Sequence, residues 1–254
     1  MQNTFPILEF DPHDNALIRP EHVVKQSGAP ERCVLCFFQD VLNKLCKQPS
    51  VRKIKTLKSE IGSHPVYEME SGGRTLAVFH PGVGAPLSAA LFEQVIAMGC
   101  RKFVACGSAG VLDSSIEMGD LMVPTAAVRD EGTSYHYLPP GREVKPGAAA
   151  LEAIEETLQN QQVDHLLTKT WTTDAIYRET PAKIFRRRAD GCLAVEMEAA
   201  ALFAVAQFRE VELAYLLYAG DDLGGKKWKS RGWTKNREVR ERLFWLAVEA
   251  ALAM

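Results

Sequence analysis

The stretch Val195-Glu196-Met197-Glu198-Ala199-Ala200 places two carboxylates where an apolar strand is predicted to give way to an apolar helix. Residues 194–195 are predicted to end the strand, and residues 198–208 to form the helix. Carboxylates in such apolar surroundings are costly unless they are hydrogen-bonded. Two explanations stay open on the residues alone. The acids cap the helix N-terminus, where negative charge is favoured, or one of them binds the vicinal hydroxyls of a ribose.

Outward from this junction, predicted strands alternate with predicted helices. The strands cover residues 32–38, 102–106, 120–128, 167–173, 194–195 and 213–219, and the helices cover 40–46, 87–98, 146–159, 181–189, 198–208 and 237–254. We also predict a hairpin of residues 65–70 and 74–79 around Ser71-Gly72-Gly73, a basic loop at 52–59 and an irregular arm at 1–30. The alternation predicts a single α/β domain over residues 1–254, with a mixed, mostly parallel central sheet flanked by helices.

Segments rich in glycines, hydroxyl groups or carboxylates follow the predicted strands, at the end where a parallel sheet binds its ligands. They are Gly82-Val-Gly84, Gly107-Ser108, Thr173-Asp174, Glu196-Met197-Glu198 and Gly220-Asp221-Asp222. Glycines let a ligand approach the backbone, and paired carboxylates can supply a general acid. A tight turn, a helix cap or a solvated loop would explain each feature equally well alone. Their clustering at strand ends indicates an active site.

Composition and charge exclude several classes of protein. Of the 254 residues, 46% are hydrophobic and 24% are charged, as in an ordinary globular chain. The formal net charge of −2 argues against non-specific binding to nucleic acid. The sequence contains no apolar run of about 18 residues, so it predicts no membrane span. The first residues lack the pattern of a signal peptide. We therefore expect a cytoplasmic protein that binds neither membranes nor nucleic acid.

Cysteine spacing gives a weak hint of a metal or redox site. Cys33-Val-Leu-Cys36 has the C-x-x-C spacing, but it lies in a predicted strand, and no second pair completes a zinc site. We expect these cysteines to be small buried hydrophobes and expect no metal.

The order of the motifs resembles the nucleoside phosphorylase superfamily, in the branch with the hexameric purine nucleoside and uridine phosphorylases and the nucleosidases of thioether nucleosides. Seven motifs within residues 75–225 carry the resemblance: Gly82-Val-Gly84, Gly107-Ser-Ala-Gly110, Gly119-Asp120, Val128-Arg-Asp-Glu-Gly-Thr-Ser134, Thr173-Asp-Ala-Ile-Tyr177, Val195-Glu-Met-Glu-Ala-Ala200 and Gly220-Asp-Asp-Leu223. The resemblance implies a phosphorylase/hydrolase-like fold and cleavage of a ribonucleoside by phosphate to ribose 1-phosphate and free base. It also implies a homo-oligomer, dimeric or hexameric, with phosphate as co-substrate and no cofactor.

Position by position, the resemblance implies a role for each part of the site. Asp221 would be the catalytic acid that protonates the leaving base. Ribose binding would fall to Glu198, Met197 and Glu196. Phosphate binding would fall to Gly82, Gly84, Gly107 and Ser108, and base binding to Thr173, Asp174, Ile176 and Tyr177. No residue is implied as a metal ligand.

Three positions depart from the family's pattern, and two of them concern phosphate. The stretch Cys36-Phe-Phe-Gln-Asp40 lacks the family's Gly-Asp-Pro loop and its arginine. Ala105 stands where an arginine usually precedes the Gly-Ser motif. Thr180 and Ala182 replace the residues that recognise uracil, which favours a purine over uridine.

The missing phosphate ligands leave alternatives open. A nucleosidase would use water, with Asp40 as the nearby acid that activates it, and a nucleoside-binding protein on the same fold would catalyse nothing. If phosphate is the nucleophile, another basic residue must supply the charge. The candidates are a residue of a neighbouring subunit, or Lys53, Lys55, Lys58, Arg101 or Arg178.

Overall fold

The apolar runs of the sequence form one mixed sheet in the computed structural model, which describes residues 3–254. The strands are β1 (Arg32–Cys36), β2 (Arg52–Ser59), β3 (Gly62–Ser71), β4 (Arg74–Phe79), β5 (Lys102–Val111), β6 (Leu121–Asp130), β7 (Glu143–Val144), β8 (His165–Thr173), β9 (Cys192–Glu196) and β10 (Glu212–Asp222). The helices are α1 (Pro20–Val23), α2 (Gln39–Leu45), α3 (Ala85–Met98), α4 (Ala148–Asn160), α5 (Pro181–Ala189), α6 (Ala199–Phe208) and α7 (Arg237–Ala253). The α/β class expected from the sequence is confirmed.

Five strands close into a ring. β5 pairs with β9, β9 with β8, β8 with β6, β6 with β10, and β10 again with β5. From β5 the sheet continues through β1, β4 and β3 to β2 at its edge. Five of the strand pairings are parallel and five are antiparallel, so the sheet is mixed.

The ring explains how polar strand ends from different directions meet. β9 runs against β5 and pairs with its last residues only, Val195 opposite Gly110 and Ala194 opposite Val111. The carboxyl end of β9 therefore passes beside the glycine-rich end of β5. The acidic junction after β9 and the Gly107-Ser108 pair become neighbours through this antiparallel overlap, and not through a shared parallel edge.

Helices cover both faces of the sheet. Alternate side chains of β5 point to opposite faces, with Phe103 and Ala105 in one core cluster and Val104 and Cys106 in the other. The first cluster lies under α3 and α6, and the second under α2, α4 and α7. Alternate residues at the glycine-rich end of β5 therefore face two different sets of helices.

The segment 52–59, predicted as a basic loop, is the edge strand β2, so that prediction is wrong. β2 pairs with β3, with Leu57 buried and most of its basic side chains exposed or half-buried. Lysine is common on edge strands because its charge discourages pairing with another chain. The basic composition marks an edge strand here.

Two strands are longer than predicted. β5 continues through Gly107-Ser-Ala-Gly110 to Val111, and β10 continues through Gly220 to Asp222. Glycine is uncommon inside strands, which is why the sequence suggested that both strands end before these glycines. The Gly-Ser motif is therefore held by the sheet itself, and Asp221 lies in an irregularity of the β5–β10 pairing between Ala219 and Asp222.

The predicted arm at 1–30 has little regular structure where it is described, apart from a short 3₁₀ turn at Pro6–Leu8 and helix α1. Residues 1 and 2 of the arm lie outside the described residues. Cys33 and Cys36 belong to different core clusters on opposite faces of β1, so the C-x-x-C spacing does not bring their thiols together. Between residues 3 and 254, no helix combines the length and apolarity that a membrane span needs.

Candidate active site

The carboxylate of Glu196 is fully used in holding the acidic junction. It is buried and accepts four hydrogen bonds, two per oxygen, from Thr170 Oγ1 (3.3 Å), Thr172 Oγ1 (2.6 Å), Glu198 N (2.7 Å) and Ala199 N (2.6 Å). Burial raises the pKa of Glu196, and these hydrogen bonds act in the opposite direction. Glu196 thus holds the start of α6 and ties it to β8. Its predicted contact with ribose would have to compete with four protein donors.

Glu198, two residues later, has far fewer protein partners. Its Oε1 accepts a hydrogen bond from the Gly84 backbone N–H at 2.6 Å, although the residue is as buried as Glu196. Burial, followed by the charge of Glu196, raises the pKa of Glu198 to about 8. Near neutral pH this carboxyl group is mostly protonated and can both donate and accept hydrogen bonds. Met197 between the two acids is half-buried.

Aromatic side chains border Glu198 on the α3 and α6 face. Tyr215 is buried, and burial, followed by the nearby charges of Glu198 and Glu196, raises the pKa of its phenol. Phe37 stacks on Tyr215 with ring centroids 5.7 Å apart, and His80 meets the edge of Phe37 at 5.8 Å. None of these aromatics was predicted as a site residue. They reach the site from β1, β4 and β10, so only the three-dimensional fold reveals them.

The Gly82-Val-Gly84 loop joins β4 to α3 and faces Glu198. Gly82 and Gly84 have φ of 84° and 88°, values that side chains disfavour, and Gly84 is the N-cap of α3. The Gly82 N–H donates to Nδ1 of His80 at 3.0 Å. Burial lowers the pKa of His80, which keeps this ring neutral as an acceptor. The loop is thus fixed at both glycines, with Gly84 committed to Glu198.

Gly107 and Ser108 face opposite sides of the sheet. A Cβ on residue 107 would lie 2.6 Å from the Tyr215 hydroxyl, so glycine is needed there for packing alone. Ser108 is half-buried and lies opposite Tyr218 in the β5–β10 pairing. Burial raises the pKa of Tyr218, while the Arg240 charge and a hydrogen bond from Ser108 oppose the rise. Ser108 therefore belongs to the α7 side of the site.

A buried arginine lies on that same side. Arg240, in the first turn of α7, has an Nη2 atom 2.9 Å from Oδ1 of Asp40, and its guanidinium lies 4.9 Å from the centre of the Phe38 ring. Its charge also contributes to lowering the pKa of His80. Arg240 was not predicted as a site residue, because α7 and α2 are about 200 residues apart and only packing brings them together.

The basic residues considered from sequence lie elsewhere. Lys53, Lys55 and Lys58 are on the edge strand β2. Arg101, next to the amino end of β5, donates to the carbonyls of Ile96 and Cys100. Arg178 is exposed on a 3₁₀ turn after β8. Arg240, in contrast, packs on Phe38, whose ring meets that of Tyr218 opposite Ser108.

The two acids that end β10 differ in their tasks. Asp222 is buried and binds Ser114, Gly224 and Arg231. Burial alone would raise the pKa of Asp222, but these hydrogen bonds and the charges around it lower the pKa below its ordinary value.

Asp221 is half-buried and faces the loop that follows β10. Its carboxylate accepts hydrogen bonds from Trp228 Nε1 at 3.2 Å and from the Arg231 backbone N–H at 2.8 Å. The structure thus places Asp221 under the loop that follows β10. The loop is basic and mostly exposed, with Lys226 and Lys227 beside Trp228.

The residues predicted to bind the base follow β8 and are largely exposed. Thr173 is buried at the strand end, and Asp174 accepts a hydrogen bond from the Gly132 N–H at 2.8 Å. Ile176 is 53% exposed and Tyr177 is 95% exposed. Contacts within one chain therefore do not bring Tyr177 to Glu198, and its role stays a prediction.

Comparisons with known proteins identify the family of the chain. The sequence profile described as Phosphorylase superfamily matches residues 31–250. A guanosine phosphorylase of Halorubrum lacusprofundi is 30% identical over 135 residues, which is 53% of this chain and 56% of that protein. A uridine phosphorylase of Thermococcus kodakarensis is 33% identical over 135 residues, 51% and 48% of the two chains. Another from Treponema pallidum is 30% identical over 158 residues, 58% and 61% of the two chains. The chain thus aligns with about half to three-fifths of these relatives.

Solved structures share the fold. A uridine phosphorylase from Vibrio fischeri superposes with a TM-score of 0.78 at 22% identity, over 94% of this chain and all of the other (100%). An AMP nucleosidase from Bacteroides thetaiotaomicron superposes with a TM-score of 0.73 at 21% identity, over 91% of each chain. At these identities the likeness concerns the fold alone. Because the family profile covers most of its length, the chain belongs to the phosphorylase superfamily.

Proposed function

We propose that this protein is a nucleoside phosphorylase, a pentosyltransferase that cleaves the N-glycosidic bond of a ribonucleoside with phosphate. The observation that carries the proposal is Glu198, a buried carboxyl group that accepts a hydrogen bond from Gly84 in the glycine loop between β4 and α3. A buried polar group of this kind is retained at a cost in stability, which is typical of a functional site. The named relatives, guanosine and uridine phosphorylases, support the same activity.

Ribose binding at Glu198 follows from its protonation state. A carboxyl group with a pKa of about 8 can accept a hydrogen bond from one hydroxyl of a vicinal diol and donate to the other. Gly84 fixes one oxygen, so the group enters the reaction already oriented. Glu196 takes no part in the chemistry on this account and serves to position Glu198.

The reaction breaks the bond between C1′ and the base nitrogen, and the electron pair stays on the base. A phosphate oxygen forms the new bond to C1′, and the product is ribose 1-phosphate. Asp221 gives a proton to the base, and the proton that phosphate loses on forming the ester restores the acid. Since Trp228 and Arg231 occupy both oxygens of Asp221, the loop must release at least one of them when the base arrives.

Within one chain, the mouth of this site leaves apolar side chains uncovered. Val83 is exposed beside Gly82 and Gly84, and Ile176 and Tyr177 are exposed after β8. We propose that a second copy of the chain covers them, in a homo-oligomer that is a dimer or a hexamer. Light scattering coupled to size-exclusion chromatography tests this, and a monomer at micromolar concentration would contradict it.

A nucleosidase is the second candidate, favoured by one observation. Ala105 stands where the family pattern has an arginine near Ser108. Asp40 lies on the same side of the sheet as Ser108, and 37% of its side chain is exposed. An acid in that position could activate water in place of phosphate. If the protein is a nucleosidase, Asp40→Asn should abolish base release in phosphate-free buffer. If it is a phosphorylase, the wild type should release no base without added phosphate.

Base release measured by ultraviolet absorbance separates the candidates. Guanosine, inosine, adenosine, uridine and AMP are each incubated with the protein in phosphate-free buffer and again with about 10 mM phosphate, far above the KM range typical of enzymes. A phosphorylase releases base only with phosphate. Release without phosphate supports the nucleosidase, and tight nucleoside binding without turnover supports a binding protein.

A further inference from the structure

We propose that Arg240 supplies the positive charge that binds phosphate, in place of the arginine that the family pattern has at the position of Ala105. This assignment rests on the proposed phosphorolysis and names the residue that makes it possible. It depends on three observations: the burial of Arg240, its packing link to Ser108 through Phe38 and Tyr218, and its incomplete hydrogen bonding.

Arg240 is a buried charge with donors to spare. Only 9% of its side chain is exposed, and its protein partners are Asp40 and the carbonyl oxygen of Thr234 at 3.1 Å. Its Nε is buried without a hydrogen-bond partner among residues 3–254. A guanidinium has five N–H donors, and a buried donor left unpaired is costly. The site therefore has unused capacity for an acceptor such as a phosphate oxygen.

Packing connects the guanidinium to Ser108, one of the residues to which the resemblance assigns phosphate. Phe38 packs against it, and the Phe38 and Tyr218 rings lie 5.8 Å apart. Tyr218 in turn lies opposite Ser108 in the sheet, and the charge of Arg240 acts to lower the pKa of its phenol. His80, whose pKa Arg240 helps to lower, holds Gly82. Ser108 is thus linked to Arg240 through Phe38 and Tyr218, and the charge of Arg240 also acts on His80, which holds Gly82.

The chemistry of arginine suits the role. A guanidinium stays protonated at any working pH, and its planar fork matches two oxygens of a phosphate. Asp40 holds one edge of the fork, and 37% of its side chain is exposed. Asp40 is then a positioning residue for Arg240 and not an acid that activates water.

The test is the KM for inorganic phosphate at saturating nucleoside, measured for the wild type, Arg240→Gln, Arg240→Lys and Arg242→Gln. Arg242 is exposed on the same helix and serves as the matched control. We expect Arg240→Gln to raise the phosphate KM about 10- to 100-fold, as loss of a charge-assisted hydrogen bond implies. The nucleoside KM should stay within about twofold. Arg240→Lys, which keeps the charge but loses the fork, should lie between the two.

Each outcome separates the assignment from the function on which it rests. Phosphate-dependent base release with an unchanged phosphate KM in Arg240→Gln overturns the role of Arg240 and leaves phosphorolysis intact. Base release by the wild type without phosphate overturns phosphorolysis itself and removes the ligand for Arg240. If Arg240→Gln does not fold, Arg240→Lys decides: a phosphate KM equal to that of the wild type contradicts recognition by the fork.

Discussion

The two ends of the candidate site are built in opposite ways. On the sugar side, Glu196 and Glu198 are buried and held by donors from β8, α6 and the loop before α3. On the base side, Asp221 is half-buried and held by an exposed loop through Trp228 and Arg231. The end proposed to bind the sugar is held by buried hydrogen bonds before any ligand arrives. At the end proposed to bind the base, the exposed loop over Asp221 is free to rearrange. This division suits an enzyme that always binds a ribose but must admit and release different bases.

The largest expected effect concerns Glu198. Glu198→Gln keeps the shape of the side chain, but its single carbonyl oxygen would accept from Gly84, which leaves only N–H donors for the proposed ribose hydroxyls. We expect kcat/KM to fall about 100-fold or more, the equivalent of roughly 3 kcal/mol of transition-state stabilisation. Steady-state kinetics with a ribonucleoside and phosphate measure this. Glu152→Gln, an exposed change on α4, is the control, and equal loss in both variants would contradict a specific role.

Glu196 should matter for stability more than Glu198 does. Glu196→Ala removes the acceptor for two backbone N–H groups and two threonine hydroxyls, all of them buried. Leaving such donors unpaired should lower the free energy of unfolding by about 3 kcal/mol. Urea unfolding measures this quantity. A loss below about 0.5 kcal/mol, typical of surface changes, would show that Glu196 does not hold the junction.

The raised pKa of Glu198 predicts a pH-dependent contribution to stability. The folded protein holds a proton on Glu198 up to a pKa of about 8, whereas the unfolded chain loses it near the ordinary value of 4.5. The stabilisation is therefore complete below pH 4.5 and is lost as pH rises to about 8. Its slope cannot exceed about 1.4 kcal/mol per pH unit.

Glu198→Gln serves as a permanently neutral reference for that measurement. Unfolding free energies of wild type and variant are compared between pH 5 and 8, where the variant should gain stability relative to the wild type as pH rises. A constant difference across this range would mean that Glu198 is ionised in the folded protein.

The smallest effect is expected on the base side. Trp228→Phe removes the indole N–H that binds Asp221 but keeps an aromatic ring on a side chain that is 66% exposed. One exposed hydrogen bond contributes about 1 kcal/mol or less, so global stability should hardly change. Trypsin should nevertheless cut faster after Lys226 and Lys227. Trp233→Phe in the same loop is the control, and equal cleavage rates in both variants would contradict the Asp221 contact.

Much of the fold follows from local patterns in the sequence. The hairpin around Gly72 forms as predicted, and the helix predicted to end at residue 98 ends at Met98. The edge strand β2 and the far ends of β5 and β10 were missed, because pairing partners distant in the sequence override a local preference for loops.

The site divides in the same manner. The sequence located Glu196 and Glu198, but only Thr172 and Gly84, brought in from other elements, distinguish a residue that holds the junction from one left to bind a ligand. Arg240 could not be foreseen, because it reaches the site through the packing of α7 against the sheet. Residue roles that depend on contacts between distant elements require the folded chain.

The central claim is that phosphate displaces a base from a ribose held by Glu198. Phosphorus-31 NMR of the wild type with guanosine and inorganic phosphate tests it most directly, with uridine and inosine as further substrates. The account predicts a sugar-phosphate signal that grows in equal amount with the free base and is absent with Glu198→Gln. Free base accompanied by unphosphorylated ribose, with the phosphate signal unchanged, would contradict it.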